Sequence, residues 1–404
     1  MASTYKAYAD RMGATAATDY IGKPGDIFWD QANGALRVSD GVTAGGTLIG
    51  GGGGATAWAA ITNINNANGP DTVAIGRNAG SVTQGTESVA IGDEAGKTSQ
   101  GVNAVAIGNN AGQTNQGGSA VAIGDIAGAL SQTAYAVAVG VGAGYDGQKE
   151  ASVAIGQNAG YTTQGIKSVA IGHEAGKTTQ GTKAVAIGDG TGYATQGANA
   201  VAIGYLTGRT TQGTLSVAIG KSAGETTQGT SAVAIGDQAG KGNQGTLTVA
   251  IGKSAGQTSQ TVAAVAVGTQ AGEASQGNSA VAVGYLAGQT TQGGQAVAIG
   301  RQAGNGNQGD DAIAIGYLAG FGNQAANSIV ISAIGTEVYN TQASSLVITP
   351  IRNATMTTIL GYDADTGEVT HNAAIPGYTN TADLKALVAA STDFADYQTR
   401  IAAL

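Results

Sequence analysis

Ser88-Val89-Ala90-Ile91-Gly92-Asp93-Glu94-Ala95-Gly96-Lys97-Thr98-Ser99-Gln100-Gly101 reads as one turn of a chain that keeps repeating itself. The Val-Ala-Ile-Gly element begins at Val73 and returns every 16 residues, through Val89, Val105 and Val121 to Ile313 and Ile329. That makes 17 copies without an insertion or deletion. A fixed short period means one structural coil stacked on its neighbours, each coil touching only the next. Within Val-Ala-Ile the side chains alternate, so Val89 and Ile91 face one way and Ala90 the other. Gly92 and Gly96 bracket a short turn, and Gly101 opens a second one. Glycine at such places signals a positive φ or a close backbone approach. Sixteen residues therefore divide into two short strands and two turns. The expected fold class is all-β: a parallel β-roll or solenoid, a rod of roughly 80 Å at about 4.8 Å per coil.

Two faces follow from the alternation. Val and Ile are expected inward, where burying one of each contributes about 3–6 kcal/mol per coil before chain entropy is subtracted. Ala90, Ala106, Ala122 and their equivalents then form a smooth outer strip suited to close approach by another chain, at or near a homo-oligomer interface. The alternative is Ala as a neutral strand residue. Gln holds one coil position from Gln84 to Gln324. Stacked amides can bond one another along the axis, so the favoured reading is a structural ladder, with a binding face as the alternative. Variable residues such as Asp93, Asp125, His173, Asp189, Lys221, Asp237, Lys253 and Arg301 mark solvent-facing turns.

Composition agrees with a thin rod. Gly makes up 69 of 404 residues, charged residues only 11% and aromatics 5%, with a net charge of -8. A globular enzyme carries about 25% charge. Gly has no three-residue period, which excludes collagen. Acidic balance with sparse Lys and Arg argues against a nucleic-acid partner. No run approaches the 18 or so apolar residues of a membrane helix, so no membrane insertion is expected, and the first residues carry no secretory signal. With no Cys there are no disulfides.

The ends do not repeat. Residues 1–54 hold two strands, Pro24–Asp30 and Ala35–Gly41, joined by a turn at Asn33-Gly34: a hairpin. Residues 55–70 form an irregular cap or linker, and 71–332 the rod. Over 333–380 a C-terminal β region is expected, with strands at Ser345–Ile348 and Thr358–Tyr362 and a turn at Asp365–Glu368. Residues 381–404 change to a helical period. Leu387, Ala390, Phe394, Tyr397, Ile401 and Leu404 fall on one helix face as an a/d seam. A helix this short does not stand alone in water, so a coiled coil between identical chains is expected, with packing on the preceding strands as the alternative.

The coil Ser-Val-Ala-Ile-Gly-x-x-Ala-Gly is similar to the head repeats of YadA-like trimeric adhesins, over about residues 71–332, although the coil here is longer than is usual in those heads. The resemblance implies left-handed parallel β-rolls assembled as a homotrimer. An autotransporter of that kind would also carry a secretion signal and a C-terminal membrane barrel, which this sequence does not show. The flanks resemble a different group. Gly25–Asp30 followed by Leu36–Gly41 looks like the N-terminal hairpin of tailed-phage fibre and structural proteins. Pro350–Asn353, Leu360–Asp363 and Thr366–Val369 resemble the segment that follows such repeats in phage fibres. Those fibres often continue into an autocleaving chaperone, whereas this chain ends in its short helix.

Catalytic chemistry has little to stand on. His occurs only as His173 and His371, with no Cys and no metal-ligand spacing, so neither a zinc site nor a Ser-His-Asp triad can be assembled. Gly140-Val141-Gly142-Ala143-Gly144 imitates a dinucleotide loop but opens no helix. Neighbouring carboxylates such as Asp93 and Glu94 diverge on a turn, which disfavours a glycan-cleaving pair. No enzyme activity, cofactor or metal is expected. Tyr145, Tyr161, Tyr193 and Phe321 share one coil position, and Tyr205, Tyr285 and Tyr317 share another. Such rings could contact host glycans or a neighbouring protein.

The sequence thus reads as a virion structural protein: a homotrimeric phage tail fibre, made in the host cytoplasm. Residues 1–54 would bind a tail or baseplate protein, and a host receptor or glycan would be the distal partner. The alternative is a bacterial cell-surface adhesin of non-autotransporter type. A third reading, an ice-binding solenoid, draws on Thr162-Thr163, Thr178-Thr179 and Thr210-Thr211, but Gly242-Asn243 and Gly306-Asn307 interrupt the array.

Overall fold

A three-residue strand that ends in glycine cannot run on, because the glycine turns the chain. In the coil that starts at Val169, the strand is Val169–Ile171, and Gly172 follows at φ +129°. A Cβ there would lie 2.5 Å from the carbonyl oxygen of Gly188 in the next coil. Only glycine tolerates both the backbone angle and that approach. The second strand is Thr179–Gln180, after which the chain turns back to Val185. A computed structural model of the chain describes residues 23–24, 27–30, 35–39, 41–42, 47–48, 71–350, 359–362 and 369–372. The chain divides into two compact units, Met1–Val347 and Ile348–Leu404.

Within the first unit, all 17 Val-Ala-Ile elements are strands, from Val73–Ile75 to Ile329–Ser332. Each pairs in parallel with its equivalents one coil away, as in Val169 opposite Val185 and Ala170 opposite Ala186. The Gln strands form a second parallel ladder, with Gln180 opposite Gln196. The two walls, two turns and 16-residue register match the sequence reading. Around Gln132 and Gln148 the second wall thins to isolated bridges, where Leu130-Ser131 and Asp146-Gly147 replace the usual Thr-Thr. No helix occurs among the described residues.

The core corrects one expectation. Ala90, Ala106 and Ala122, read as an outer strip, are fully buried inside a single chain, while Val73 is 39% and Ile299 40% exposed. The alternation is right and the faces are reversed. Each coil buries the strand Ala, the turn Ala and the residue preceding Val, for example Ala186, Ala175 and Ala184. The Gln side chains of the facing wall fill most of the interior, so these positions hold small residues, with Thr191 and Thr207 in place of the turn Ala in two coils. A Cβ on Gly176 would already stand 3.3 Å from the Ala170 methyl. Where Ser replaces the Ala before Val, its hydroxyl donates to a turn carbonyl, as Ser168 does to Gly165 at 2.7 Å, so the small interior accepts either residue.

At the ends, Ile27–Asp30 pairs antiparallel with Ala35–Val38, as the sequence indicated, and an unforeseen third strand, Thr47–Leu48, pairs with Arg37 and Val38. Past Ser332 the coil path continues although the period is lost. Val338–Asn340 joins the Gln ladder, and Ile329 N–H donates to Ser345 O at 2.9 Å. That bond sets Leu346 opposite Ile329, one residue later than the regular spacing, after the register has already shifted between Ala319 opposite Val338 and Gln324 opposite Asn340, and these shifts hide the coil from a period search. Val330 and Val338 close the Ala core with larger side chains. In the second unit, Ile359–Tyr362 and Val369–Asn372 form an antiparallel hairpin. The irregular 55–70 segment, the Asp365–Glu368 turn and the Leu387, Ala390, Phe394, Tyr397, Ile401 and Leu404 seam lie outside the described residues.

Candidate functional site

Four features of the solenoid could meet a partner or hold the rod together. The first is internal. Every ladder Gln from Gln84 to Gln324 is buried, and its amide closes the space between the walls. Gln196 Nε2 donates to Val185 O at 2.7 Å and to Oε1 of Gln212 at 3.0 Å. One side chain thereby ties its own coil across the interior and the next coil along the axis. This geometry selects the structural ladder over the binding face. The chain of amides breaks where Oε1 of Gln84, Gln100, Gln164 and Gln244 has no donor. Gln196→Leu should therefore cost about 2–4 kcal/mol, because it strands buried amide groups on both sides. Gln84→Leu should cost clearly less, since that Oε1 is already unpaired. Denaturant unfolding of the two variants measures the difference, and equal losses would mean the amide chain contributes nothing.

The second feature is the outer face of the Val-Ala-Ile wall, a continuous stripe of half-buried Val and exposed or half-buried Ile along the whole rod. Ile123, Ile155, Ile219, Ile235, Ile251, Ile299, Ile315 and Ile331 are each 36–40% exposed. Exposed Tyr135, Leu215 and Leu247 add single apolar side chains at the corner that precedes the strand. A contiguous apolar patch of this length on one chain marks an interaction surface. The Gln wall is its opposite in chemistry. Its outer side shows Thr178-Thr179, Thr210-Thr211 and Thr226-Thr227, all exposed. Gly242-Asn243 and Gly306-Asn307 interrupt that hydroxyl array, and Asn307 Nδ2 donates to Asn323 Oδ1 at 3.1 Å.

Third and fourth are two ladders on the first turn, where residues 16 apart stack along the axis. After the second turn glycine, Tyr145 and Tyr161 stack with centroids 4.8 Å apart and planes 9° from parallel. Tyr193 lies between Lys177, 5.0 Å from its centroid, and Arg209, 5.6 Å away. After the strand glycine, Arg301 lies between Tyr285 and Tyr317. Tyr205 sits apart from these, and Phe321 meets Tyr339 edge-on at 6.3 Å. The structure thus joins the aromatics into axial stacks with cations between them. Aligning the coils shows this directly in the sequence, since Lys177, Tyr193 and Arg209 occupy one coil position.

Several charged residues on the same turn are paired. Arg77 Nε donates to Asp93 Oδ1 at 2.9 Å and holds that carboxyl below its usual range. Lys97 meets Glu94 at 2.9 Å, and its hydrogen bond, with a second from Gln113, lowers the Glu94 carboxyl likewise. Lys177 is held above its usual value by its bond to Glu174. His173 Nδ1 lies 3.0 Å from Asp189 Oδ1. Among the described residues, no cluster of three or more His, Cys, Asp or Glu could hold a metal.

Compared with known families, the chain matches the YadA head domain repeat in two copies, over residues 67–95 and 98–111. No curated protein and no solved structure matches it. Together with the stacked parallel coils, the match supports a YadA-like repeat fold for the β-solenoid.

Proposed function

We propose that the chain is a structural protein of a virion, the homotrimeric tail fibre of a tailed bacteriophage. The observation that carries the reading is the Val/Ile stripe. A single chain leaves it open over 17 coils, and packing it against copies of itself buries it along the full rod, with the threonine wall outward. Three copies follow the trimeric habit of the heads this repeat resembles. The flanking hairpin sequences, Gly25–Asp30 with Leu36–Gly41, support a phage fibre over other repeat rods. In this role residues 1–54 attach to the tail or baseplate, the solenoid is a rigid spacer without enzymatic activity, and the far end contributes to host attachment.

Mass spectrometry of purified particles tests the reading. The chain is expected in the virion, in a copy number divisible by three. Its absence from particles would sink the fibre reading. The second reading, a bacterial surface adhesin of non-autotransporter type, is favoured by the YadA head match. It predicts recovery of the chain from cell envelopes in the absence of any particle.

A further inference from the structure

We propose that Tyr285, Arg301 and Tyr317 form a site for the anionic group of an acidic polysaccharide, an inference that rests on the attachment role above. The guanidinium carbon of Arg301 lies 5.8 Å from the Tyr285 ring centre and 5.2 Å from that of Tyr317. All three side chains are exposed. The two rings flank the guanidinium along the rod axis, which leaves its N–H groups for a partner from solvent. They also hold the fork in place before any ligand arrives, so little side-chain entropy remains to be lost on binding.

Arg301 is set apart by a ring on each side, where Lys177 and Arg209 have one ring each. Arg77, Lys97, Lys177 and Lys241 each face a carboxylate. Arg301, like Arg209, Lys221 and Lys253, lacks a carboxylate partner among the described residues; the coil above and the coil below both offer tyrosine at its position. A net charge of -8 repels a polyanion from the chain as a whole, so a guanidinium braced on both sides is where such a polymer would dock. Carboxylate, sulfate and phosphate all fit its planar donor fork. The amides beside it are already engaged, Gln289 Nε2 with Glu273 Oε2 at 2.8 Å. Asn305 Nδ2 reaches the carbonyl of Leu286, next to Tyr285, at 3.2 Å and Gln289 Oε1 at 3.0 Å, which brings two amides to the same turn. Because the guanidinium occupies one face of each ring, the arrangement favours an anionic group over stacking of a neutral sugar.

The test titrates the immobilised full chain with alginate, which carries carboxylates, with dextran sulfate, which carries sulfate esters, and with neutral dextran. At least one acidic polymer should bind and dextran should not; which one binds identifies the anion. Arg301→Gln should weaken binding about tenfold or more, as expected for loss of charge-assisted hydrogen bonds. Arg301→Lys should fall between the two, since it keeps the charge and loses the fork. Arg209→Gln removes the same charge beside Tyr193 and should leave binding unchanged. Failure of both acidic polymers to bind, or equal weakening by Arg209→Gln and Arg301→Gln, would overturn the site. Thermal melts of the variants confirm that they remain folded. A chain found in virions but indifferent to these polymers would remove the site and leave the fibre reading standing. A chain absent from virions that still binds through Arg301 would do the reverse.

Discussion

Ala202→Phe is expected to break the rod in the middle. Ala202 is fully buried, in register between Ala186 and Ala218 of the neighbouring coils. A Cβ on Gly208 would already come within 3.0 Å of the Gln212 amide carbon and 3.4 Å of the Ala202 methyl, so a ring has nowhere to go. Overpacking a normal core costs about 1–3 kcal/mol because neighbours shift. Here the neighbours are backbone walls joined by ladder hydrogen bonds, and the cost should exceed that range. A solenoid is stabilised coil against coil, so the damage should stay local and divide the rod in two. Limited proteolysis should cut near residue 202 and release two resistant halves, with a matching loss of β signal in circular dichroism. Tyr205→Ala, three residues away on the exposed turn, should change stability by no more than about 0.5 kcal/mol. A variant Ala202→Phe that melts with the natural chain would return the Ala face to solvent.

That prediction reverses the one the sequence invited, and the reason is physical. Periodicity shows which side chains share a face, so the strands at Val89–Ile91 and Thr98–Gln100, the glycine turns and the Gln ladder were all legible. Periodicity does not show which face is inside. Large apolar residues are usually buried, but the rule runs one way only, and in a coil this flat the Gln side chains of the facing wall fill the interior and leave Ala opposite them. Two signals were available. Ala recurs at both the strand and the turn position, as at Ala170 and Ala175, which is excessive for a surface. Gln at every coil needs a buried partner to be so regular. The last coil escaped because its register shifts between Val338 and Leu346 defeat a search for a fixed period. The cation–aromatic stacks required reading the sequence down the coils instead of along the chain, as with Tyr285, Arg301 and Tyr317. Left-handed residues that are not glycine, such as Glu174 at φ 54° and Lys183 at φ 57°, left no trace in residue type.

With the faces reversed, assembly should depend on the stripe and not on alanine. Ile187→Asp, Ile219→Asp and Ile251→Asp combined place a carboxylate in alternate middle coils of the apolar face. Each Ile withdrawn from an interface gives up about 1.5–3 kcal/mol, and each carboxylate buried there without a partner costs several kcal/mol more. Three such changes in each of several copies outweigh what the remaining coils supply at the affected stretch. The triple variant should therefore be folded, with an unchanged circular dichroism spectrum, and monomeric by light scattering at micromolar concentration, where the natural chain should be trimeric. The spectrum should survive because these side chains make no part of the Ala and Gln interior. Charges on the other wall, for example Thr179→Asp, Thr211→Asp and Thr227→Asp, should leave the trimer intact, which separates loss of the seam from added charge. A stripe variant that remains trimeric would move the association to residues such as Leu387, Phe394 and Ile401. The Val/Ile face would then be open to a different protein.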